Sequence, residues 1–375
     1  MKNAFLASAA LLLAVIGGIV AQNIPCTTPN NLPGMCVPVM RCRNIFAAIQ
    51  MKDKLTAPML NFIRRSVCQY PNVNYAVCCR LSELGAGSGS GSAPSGGTST
   101  VGASSLLPSD CGTMESDRIS FGNLTQAFEF PWMALLRYRN FNGELVDGCG
   151  GSLINDRYVL TAAHCLIAKR LQLDHVRLGE HNKETEPDCV DSDDCAGPVQ
   201  DVPVEKIIIH PEYNKPKYRN DIGLIRLVRK VTFEYHIKPI CLPVNNQLQT
   251  MTHSKYILTG WGTTEENVQS QVLLKASVPQ LDNESCERIL LANNLKIELF
   301  EKQMCAGAQG LVDSCQGDSG GPLGTIATLN NQARFVQFGI VSIGINSCGQ
   351  KPVPSIYTKV APYMSWIVTN LKPSR

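Results

Sequence analysis

The 375-residue chain has almost no surplus of charge, because 34 Lys and Arg residues offset 31 Asp and Glu residues to leave +3. So small a surplus gives no argument for nucleic acid or for an anionic membrane, and we expect neither among its partners. Long apolar runs are equally scarce: beyond the first 21 residues no run is long enough to span a membrane. Histidine is missing from the whole segment after His253, which restricts the kinds of hydrolase that the chain can be.

Cysteine, in contrast, is abundant, with sixteen residues in the chain. Lys2 precedes an apolar run from Ala4 to Val20, and the small residue Ala21 follows it. This pattern predicts a signal peptide over residues 1–21 that is cleaved before Gln22. An uncleaved membrane anchor is the alternative. Either reading places the cysteines in an oxidising compartment, and we expect a secreted, extracellular protein.

A change of composition divides the rest of the chain. Residues 85–97 read GAGSGSGSAPSGG, a sequence that has almost nothing to bury and behaves as a flexible coil. It leaves six cysteines on its amino-terminal side and ten on its carboxyl-terminal side. We therefore predict a small module over residues 22–80, a linker and activation segment over 81–118, and a large domain over 119–375.

The 22–80 module is too small to be stable without cross-links, and six cysteines supply three disulfides. Six cysteines allow fifteen pairings, among which spacing alone does not choose. Apolar residues recur at helical spacing between Cys42 and Cys68. The module contains no histidine and only one acidic residue, Asp53. This composition favours a binding or regulatory role over a catalytic one.

The 119–375 segment has the pattern of an all-β domain of the sandwich or barrel type, because short apolar runs alternate with Gly-, Pro- and Asn-containing turns. The last segment, Tyr363–Leu371, carries apolar residues at helical spacing and predicts a closing helix. The predicted strands are Met133–Leu136, Tyr158–Thr161, Lys206–Ile209, Ile222–Leu227, Tyr256–Leu258 and Val336–Val341.

A glycine-rich turn, Gly317–Gly321, satisfies the G-x-S-x-G pattern with Ser319 at its centre, which alone is a weak signal. An α/β-hydrolase needs its histidine after the serine, and all six histidines precede Ser319. The order His, Asp, Ser remains. His164 follows an apolar strand and adjoins a cysteine, and Asp221 begins another apolar strand, where a buried carboxylate needs a partner.

Three motifs in this order, TAAHC, NDIGL and GDSGGP, resemble the chymotrypsin/trypsin family of serine proteases from residue 119 to the C-terminus. The resemblance implies two six-stranded β-barrels followed by a C-terminal helix. It implies Ser319 as nucleophile, His164 as general base, Asp221 as the group that orients the imidazole, and backbone N–H groups of Gly317 and Ser319 as the oxyanion hole. No cofactor is expected for catalysis.

The same resemblance suggests how substrate is chosen. Asp313, six residues before the nucleophile, stands where trypsin-like members have an acid at the base of the S1 pocket. It implies cleavage after Arg, with Lys second. Ser342, Gly344 and Ser355 are expected to line the pocket, and Ser355 departs from the glycine that is common there.

Zymogen activation is also implied by resemblance. The sequence around Arg118 matches the family's activation site, and cleavage after it would free the Ile119 amine to pair with Asp318.

The six-cysteine module, the linker and the trypsin-like domain together resemble the clip-domain proteases of arthropod haemolymph, in their catalytically competent subgroup. The resemblance implies a zymogen in a cascade of melanisation or Toll-type immunity, with an upstream activating protease, protein zymogen substrates and serpin-type inhibitors. A non-catalytic homologue and a digestive trypsin are the alternatives. The implied disulfides are Cys26–Cys78, Cys36–Cys68, Cys42–Cys79, Cys111–Cys241, Cys149–Cys165, Cys189–Cys195, Cys286–Cys305 and Cys315–Cys348.

Two further expectations concern the surface of the large domain. Residues 180–194 are unusually acidic, and relatives hold Ca²⁺ in such a loop, so we predict a structural calcium ion held by Glu180, Asn182, Thr185 and Asp188. A solvated acidic loop is the alternative. Asn123 and Asn283 each begin an N-x-S/T sequence and are predicted glycosylation sites.

Overall fold

A computed structural model of the chain shows two compact units, Met1–Pro94 and Ser95–Arg375. No helix in the part of the chain that the structure describes is long and apolar enough to cross a membrane. The predicted signal peptide and the glycine-rich run lie outside that part. The structure describes residues 24–29, 33–39, 42, 45, 49, 57–70, 73–80, 106–114, 125–167, 170–191, 194–264, 268–307, 316–344 and 353–373.

The first unit is a four-stranded antiparallel sheet cross-linked by disulfides. Its strands are β1 (Ile24–Thr27), β2 (Pro33–Pro38), β3 (Val67–Tyr70) and β4 (Val73–Arg80), in the order β1-β2-β4-β3. The helix α1 (Ala57–Ser66) lies within the stretch where apolar spacing predicts a helix. The buried core is small, and two of its members are half-cystines, so the disulfides carry much of the packing. That core consists of Val37, Cys42, Ile45, Val77 and Cys79.

The second unit begins with a closed six-stranded antiparallel barrel. Its neighbouring strands follow the order β11-β12-β7-β6-β5-β8. Strands β7 and β12 are apolar nearly throughout because both of their faces are buried. The bounds are β5 (Met133–Arg139), β6 (Leu145–Leu153), β7 (Tyr158–Thr161), β8 (Gln172–Leu178), β11 (Gln200–Ile209) and β12 (Gly223–Leu227), with a two-stranded hairpin, β9 (Cys189–Asp191) and β10 (Asp194–Cys195), between them.

A second closed barrel follows in the order β13-β14-β15-β18-β17-β16. The two barrels confirm the predicted fold class, and every predicted strand falls in one of them. The bounds are β13 (Lys255–Gly260), β14 (Leu274–Leu281), β15 (Gln303–Ala306), β16 (Pro322–Leu329), β17 (Gln332–Ile343) and β18 (Ser355–Lys359).

Helices are few in this unit. The predicted closing helix is present as a 3₁₀ turn, Ala361–Tyr363, that continues into α5 (Met364–Asn370), with Met364 and Ile367 buried. The other helices are α2 (Ala163–Leu166), α3 (Asn246–Thr250) and α4 (Asn283–Ala292), which Asp282 caps through its side chain.

Seven disulfides join the cysteine pairs that the clip-protease resemblance implies. Three cross-link the first unit and four the second. Cys111–Cys241 attaches the segment before the first barrel to the body of the second unit. The eighth expected pair, Cys315–Cys348, lies outside the described residues. The seven are Cys26–Cys78, Cys36–Cys68, Cys42–Cys79, Cys111–Cys241, Cys149–Cys165, Cys189–Cys195 and Cys286–Cys305.

Candidate active site

His164 lies on the short helix that directly follows a fully buried strand of the first barrel. Ala162 and Ala163, just before it, have no exposed surface, so the chain leaves β7 in a fixed direction. The next residue, Cys165, is bonded to Cys149 on β6. The imidazole itself keeps 31% of its side chain exposed. The backbone at His164 is therefore held in place, and its imidazole is partly exposed to solvent.

Asp221 is the partner of this imidazole. Its Oδ2 lies 2.7 Å from His164 Nδ1, and its Oδ1 accepts a 2.9 Å hydrogen bond from the His164 backbone N–H. The side chain of Asp221 is buried at the start of β12. Because the carboxylate contacts both the ring and the backbone of one residue, the orientation of the imidazole is fixed, with Nδ1 toward the acid.

A serine of the second barrel completes the environment of this carboxylate. The Ser342 hydroxyl, on β17, donates a 2.6 Å hydrogen bond to Asp221 Oδ2, and the Thr358 hydroxyl donates to the Asp221 backbone carbonyl. The Tyr363 hydroxyl donates to the side-chain oxygen of Asn220. Sequence reasoning placed Ser342 in the substrate pocket and missed its bond to Asp221, and it singled out neither Thr358 nor Tyr363.

The buried Asp221 carboxylate helps to raise the pKa of two neighbouring tyrosines. Burial, with a further contribution from the Asp221 carboxylate, raises the pKa of Tyr213 to about 12. The pKa of Tyr363 is raised by the same two causes, with a smaller contribution from Glu212. Three donors surround Asp221, namely the His164 ring, the His164 backbone N–H and the Ser342 hydroxyl. Hydrogen bonds of this kind offset the cost of burying a charge.

Ser319 lies on a tight turn between two glycines in the left-handed region, Gly317 with φ +105° and Gly320 with φ +78°. The carbonyl of Ser319 accepts a hydrogen bond from the Gly150 N–H of the first barrel, and the Gly320 N–H donates to Val341. A Cβ at Gly320 would lie 2.1 Å from Thr161 Oγ1. Only glycine permits so close an approach of this turn to the first barrel.

The turn thereby comes up against the segment that carries His164. The same Cβ position at Gly320 is 3.1 Å from Cys165 Sγ, next to His164 in the chain. Ser319 and His164 both lie in the described part of the chain, and no hydrogen bond joins the Ser319 hydroxyl to the imidazole. His164 Nε2 instead lies 3.6 Å from Cys165 Sγ. In serine hydrolases without a ligand this bond is often long and tightens when substrate binds.

Asp318 lies in a confined space directly before Ser319 in the chain. Its Oδ1 accepts a 2.8 Å hydrogen bond from the Gly262 N–H, and the side chain is buried. A Cβ at Gly260 or Gly262 would lie within 2.4 Å of its carboxylate. These two glycines therefore make room for the acid. Its expected partner, Ile119, and the activation residue Arg118 lie outside the described residues, as does Asn123.

The expected substrate pocket is described in part. Asp313 lies outside the described residues, whereas Ser355 is fully buried at the edge of β18 that pairs with β15. The Ser355 hydroxyl has no hydrogen-bond partner among the described atoms. Gly344 is exposed at the end of β17. Asn283, the remaining glycosylation candidate, is the first residue of α4.

The four residues expected to hold calcium do come together, but most of their oxygens are already engaged. Asp188 accepts hydrogen bonds from the His181 and Asn182 backbone N–H groups and from the Thr185 hydroxyl. The Asn182 carbonyl accepts from Thr185. A cation held by all four residues would compete with these bonds.

Glu180 is the exception in this loop. Its Oε1 is buried without a hydrogen-bond partner, while Oε2 lies 3.3 Å from the Arg177 guanidinium. Burial and the neighbouring Asp188 carboxylate raise the pKa of Glu180. The set therefore fits a cation only in part, through Glu180.

Comparison with known proteins identifies the class. Residues 119–367 match the trypsin family, and residues 26–79 match the family described as the regulatory CLIP domain of proteinases. The chain belongs to the trypsin family of serine proteases. Within that family it carries the domain organisation of the clip-domain serine proteases, as the sequence motifs predict.

The relatives cover nearly the whole chain. The chain is 38% identical to serine protease grass of Drosophila melanogaster, covering 92% of this chain and 90% of the relative. It is 38% identical to phenoloxidase-activating factor 1 of Holotrichia diomphalia, with 93% of each covered. The crystal structure of the Drosophila Grass clip serine protease of the Toll pathway superposes with a TM-score of 0.64 at 37% identity, covering 92% and 96%.

Proposed function

We propose that the chain is the zymogen of an active serine endopeptidase with trypsin-like specificity. The observation that carries this proposal is the His164–Asp221 pair, held by two hydrogen bonds at 2.7 and 2.9 Å and facing the turn of Ser319. A non-catalytic homologue usually lacks the nucleophile, whereas Ser319 is present in this chain. All three residue types that the mechanism requires are present.

In the proposed mechanism Ser319 attacks the scissile carbonyl while His164 Nε2 takes the proton of its hydroxyl. His164 then gives that proton to the leaving amine, and a water molecule repeats the sequence to release the acyl group. Asp221 holds Nδ1 protonated and stabilises the imidazolium through the 2.7 Å contact. The N–H groups of Gly317 and Ser319 are proposed to stabilise the oxyanion, and the turn geometry at Gly317 supports this role.

Activation is proposed to follow cleavage after Arg118. The new Ile119 amine would pair with Asp318, whose buried carboxylate already lies beside the nucleophile. A buried carboxylate is stabilised by an adjacent positive charge. Because Asp318 directly precedes Ser319, a change at this carboxylate is passed to the oxyanion turn without an intermediate element.

Specificity for Arg, with Lys second, is proposed from Asp313 and from the buried Ser355 hydroxyl. A hydroxyl without a partner costs free energy until something bonds to it. A guanidinium has five N–H donors and an ammonium only three. If Ser355 faces the bound side chain, this difference favours arginine.

The relatives support a setting for the enzyme. The Drosophila Grass structure is that of a clip serine protease of the Toll pathway, and other relatives are phenoloxidase-activating factors and a melanization protease. We propose that this chain is likewise extracellular and acts in a haemolymph cascade of melanisation or Toll-type immunity. An upstream protease would activate it, protein zymogens would be its substrates, and serpin-type inhibitors would stop it.

The experiment is to cut the secreted chain after Arg118 and to measure the hydrolysis of Arg and Lys peptide amides. Hydrolysis should rise sharply on cleavage, with Arg preferred. The matched control is Arg118→Gln, which should stay inactive under the same treatment. Verified cleavage after Arg118 without a rise in hydrolysis would contradict the proposed endopeptidase activity.

Gels of the same samples test the architecture. Non-reducing gels should show one species after cleavage and reducing gels two, because Cys111–Cys241 keeps the light chain attached. A light chain that leaves without reductant would contradict that attachment.

A further inference from the structure

A group of positive side chains surrounds the loop that leads into Asp221. We call it the cationic face, and it consists of Lys215, Lys217, Arg219, Lys302 and Lys359. Residues 212–219, 300–302 and 359 carry these five cations against two carboxylates, Glu212 and Glu301. The segments are joined, since Gln303 Nε2 donates a 3.0 Å hydrogen bond to the Tyr218 carbonyl and Lys359 Nζ donates to the Glu301 carbonyl.

Aromatic rings rather than carboxylates support three of these charges. Lys217 Nζ lies 4.5 Å from the centre of the Tyr218 ring, and the Arg219 guanidinium lies 4.9 Å from that of Phe300. Lys302 Nζ lies 5.3 Å from the centre of Tyr363. A ring face orients a cation without neutralising it. The charges are therefore held in place and remain available to an anionic partner.

The described part of the chain places no carboxylate within 4.0 Å of any of the five cations. Elsewhere in the same unit the pattern is different: Arg157 pairs with Glu205, Arg177 with Asp201, and Lys275 with Glu129. Lys215 and Lys217 are also exposed. A surface on which five cations face only two carboxylates attracts negatively charged ligands.

The position of this surface limits what the ligand can be. Tyr218 lies three residues before Asp221, and three residues span at most about 10 Å. Asp221 in turn contacts His164 directly. A polypeptide whose scissile bond lies at His164 and Ser319 therefore passes close to the cationic face. A substrate segment fits this position better than a ligand that never enters the active site.

The chain itself contains a segment of the matching chemistry. Glu115 and Asp117 stand three residues and one residue before Arg118, the expected cleavage position. We propose that the cationic face binds acidic residues that precede a scissile arginine, and that the activation segment of a second copy of this chain is such a substrate. The inference rests on the proposed function and adds that an activated molecule cleaves the uncleaved chain after Arg118.

The test uses the enzyme cut after Arg118 by an immobilised protease, with two peptides. One is residues 113–120, Thr-Met-Glu-Ser-Asp-Arg-Ile-Ser, and the other carries Gln and Asn in place of its Glu and Asp. At low salt kcat/KM should be about three- to tenfold higher for the acidic peptide, the range expected for two exposed ion pairs. At about 0.5 M salt the ratio of the two kcat/KM values should approach one, because exposed charges are then screened.

Variants assign the effect to the surface. The double variant Lys215→Glu/Lys217→Glu should lower the ratio to one or below. The matched control is Lys206→Glu/Lys255→Glu, two exposed lysines on β11 and β13, which should keep the wild-type ratio. The uncleaved Ser319→Ala chain should be cut after residue 118 by the active enzyme, and more slowly when it also carries Glu115→Gln and Asp117→Asn.

Equal kcat/KM for the two peptides at low salt, or a ratio that the Lys215→Glu/Lys217→Glu variant leaves unchanged, would overturn the proposal. So would binding of a heparin fragment to the wild type but not to that variant, together with equal rates for the peptides, since the surface would then serve a polysaccharide. Cleavage of neither peptide would instead refute the proposed function, and this inference with it.

Discussion

The two barrels hold their halves of the active site by different means. The first barrel fixes His164 through side-chain contacts, with Asp221 bonded to both the ring and the backbone of the histidine. The turn of Ser319, in contrast, is shaped by Gly317 and Gly320, and its backbone bonds to Gly150 of the first barrel and to Val341 of the second. The proposed base is therefore oriented by a side-chain partner, whereas the proposed nucleophile is oriented by the course of the chain.

This difference suggests where activation acts. The His164–Asp221 pair is complete in the uncleaved chain, so cleavage after Arg118 has nothing to add to it. The turn of Ser319 contains Asp318, the residue proposed to receive the new amine. A change at Asp318 therefore acts directly on this turn, whereas the Asp221 carboxylate is already bonded to three donors. We expect activation to change the second barrel's half of the site and to leave the first barrel's half as it is.

The largest expected effect comes from a variant that disrupts the His164–Asp221 pair. Asp221→Asn offers an N–H where His164 Nδ1 needs an acceptor, which favours the wrong tautomer of the imidazole. After verified cleavage, kcat on an Arg peptide amide should fall by about 10⁴-fold, as such a change does in this type of triad. Thermal unfolding of the same sample is the control for folding. A loss of less than about tenfold would show that Asp221 does not orient the base.

A smaller effect tests the link between the halves. Ser342→Ala removes the 2.6 Å hydrogen bond that the second barrel gives to Asp221. A hydrogen bond to a charged acceptor contributes about 1.5–3 kcal/mol, so kcat should fall by about ten- to a hundredfold. The matched control is Thr358→Val, whose lost bond is to the Asp221 carbonyl, and kcat should change by less than about threefold. Equal losses in both variants would deny Ser342 a specific role.

The smallest effect concerns the acidic loop, which belongs to neither half. If Glu180 Oε1 takes part in binding calcium, millimolar Ca²⁺ should stabilise the protein by about 1 kcal/mol, or about two to four degrees in Tm. Glu180→Gln should abolish this shift, and Glu184→Gln, an exposed neighbour, should keep it. If calcium leaves the Tm of the wild type unchanged, the predicted calcium site in this loop is wrong.

Much of the fold could be predicted because local patterns determine it. Buried strands such as Tyr158–Thr161 and Ile222–Leu227 are apolar in sequence, and the closing helix shows helical spacing. Strands β6, β8, β14, β15, β16 and β18 were not predicted. Strand β14 has only two buried residues, Lys275 and Val278, and β15 has only four residues. Neither contains an apolar run long enough to stand out.

The site was predicted unevenly for a similar reason. Motifs of neighbouring residues located His164, Asp221 and Ser319, but nothing in the sequence joins Ser342 to Asp221, 121 positions away. The same holds for the buried ion pair of Glu129 and Lys275, at 2.5 Å and 146 positions apart. Such pairs depend on how two barrels meet, which a single sequence does not display.

The central claim is that Ser319 is a nucleophile activated by His164 only after cleavage. The most direct measurement treats the chain with a fluorophosphonate before and after the cut at Arg118 and locates the label by peptide mass spectrometry. We predict about one label per molecule on Ser319 after cleavage, far slower labelling before it, and none in Ser319→Ala. Equal labelling of cleaved and uncleaved chains would contradict activation, and a label on another residue, or no label at all, would contradict the assignment of the nucleophile.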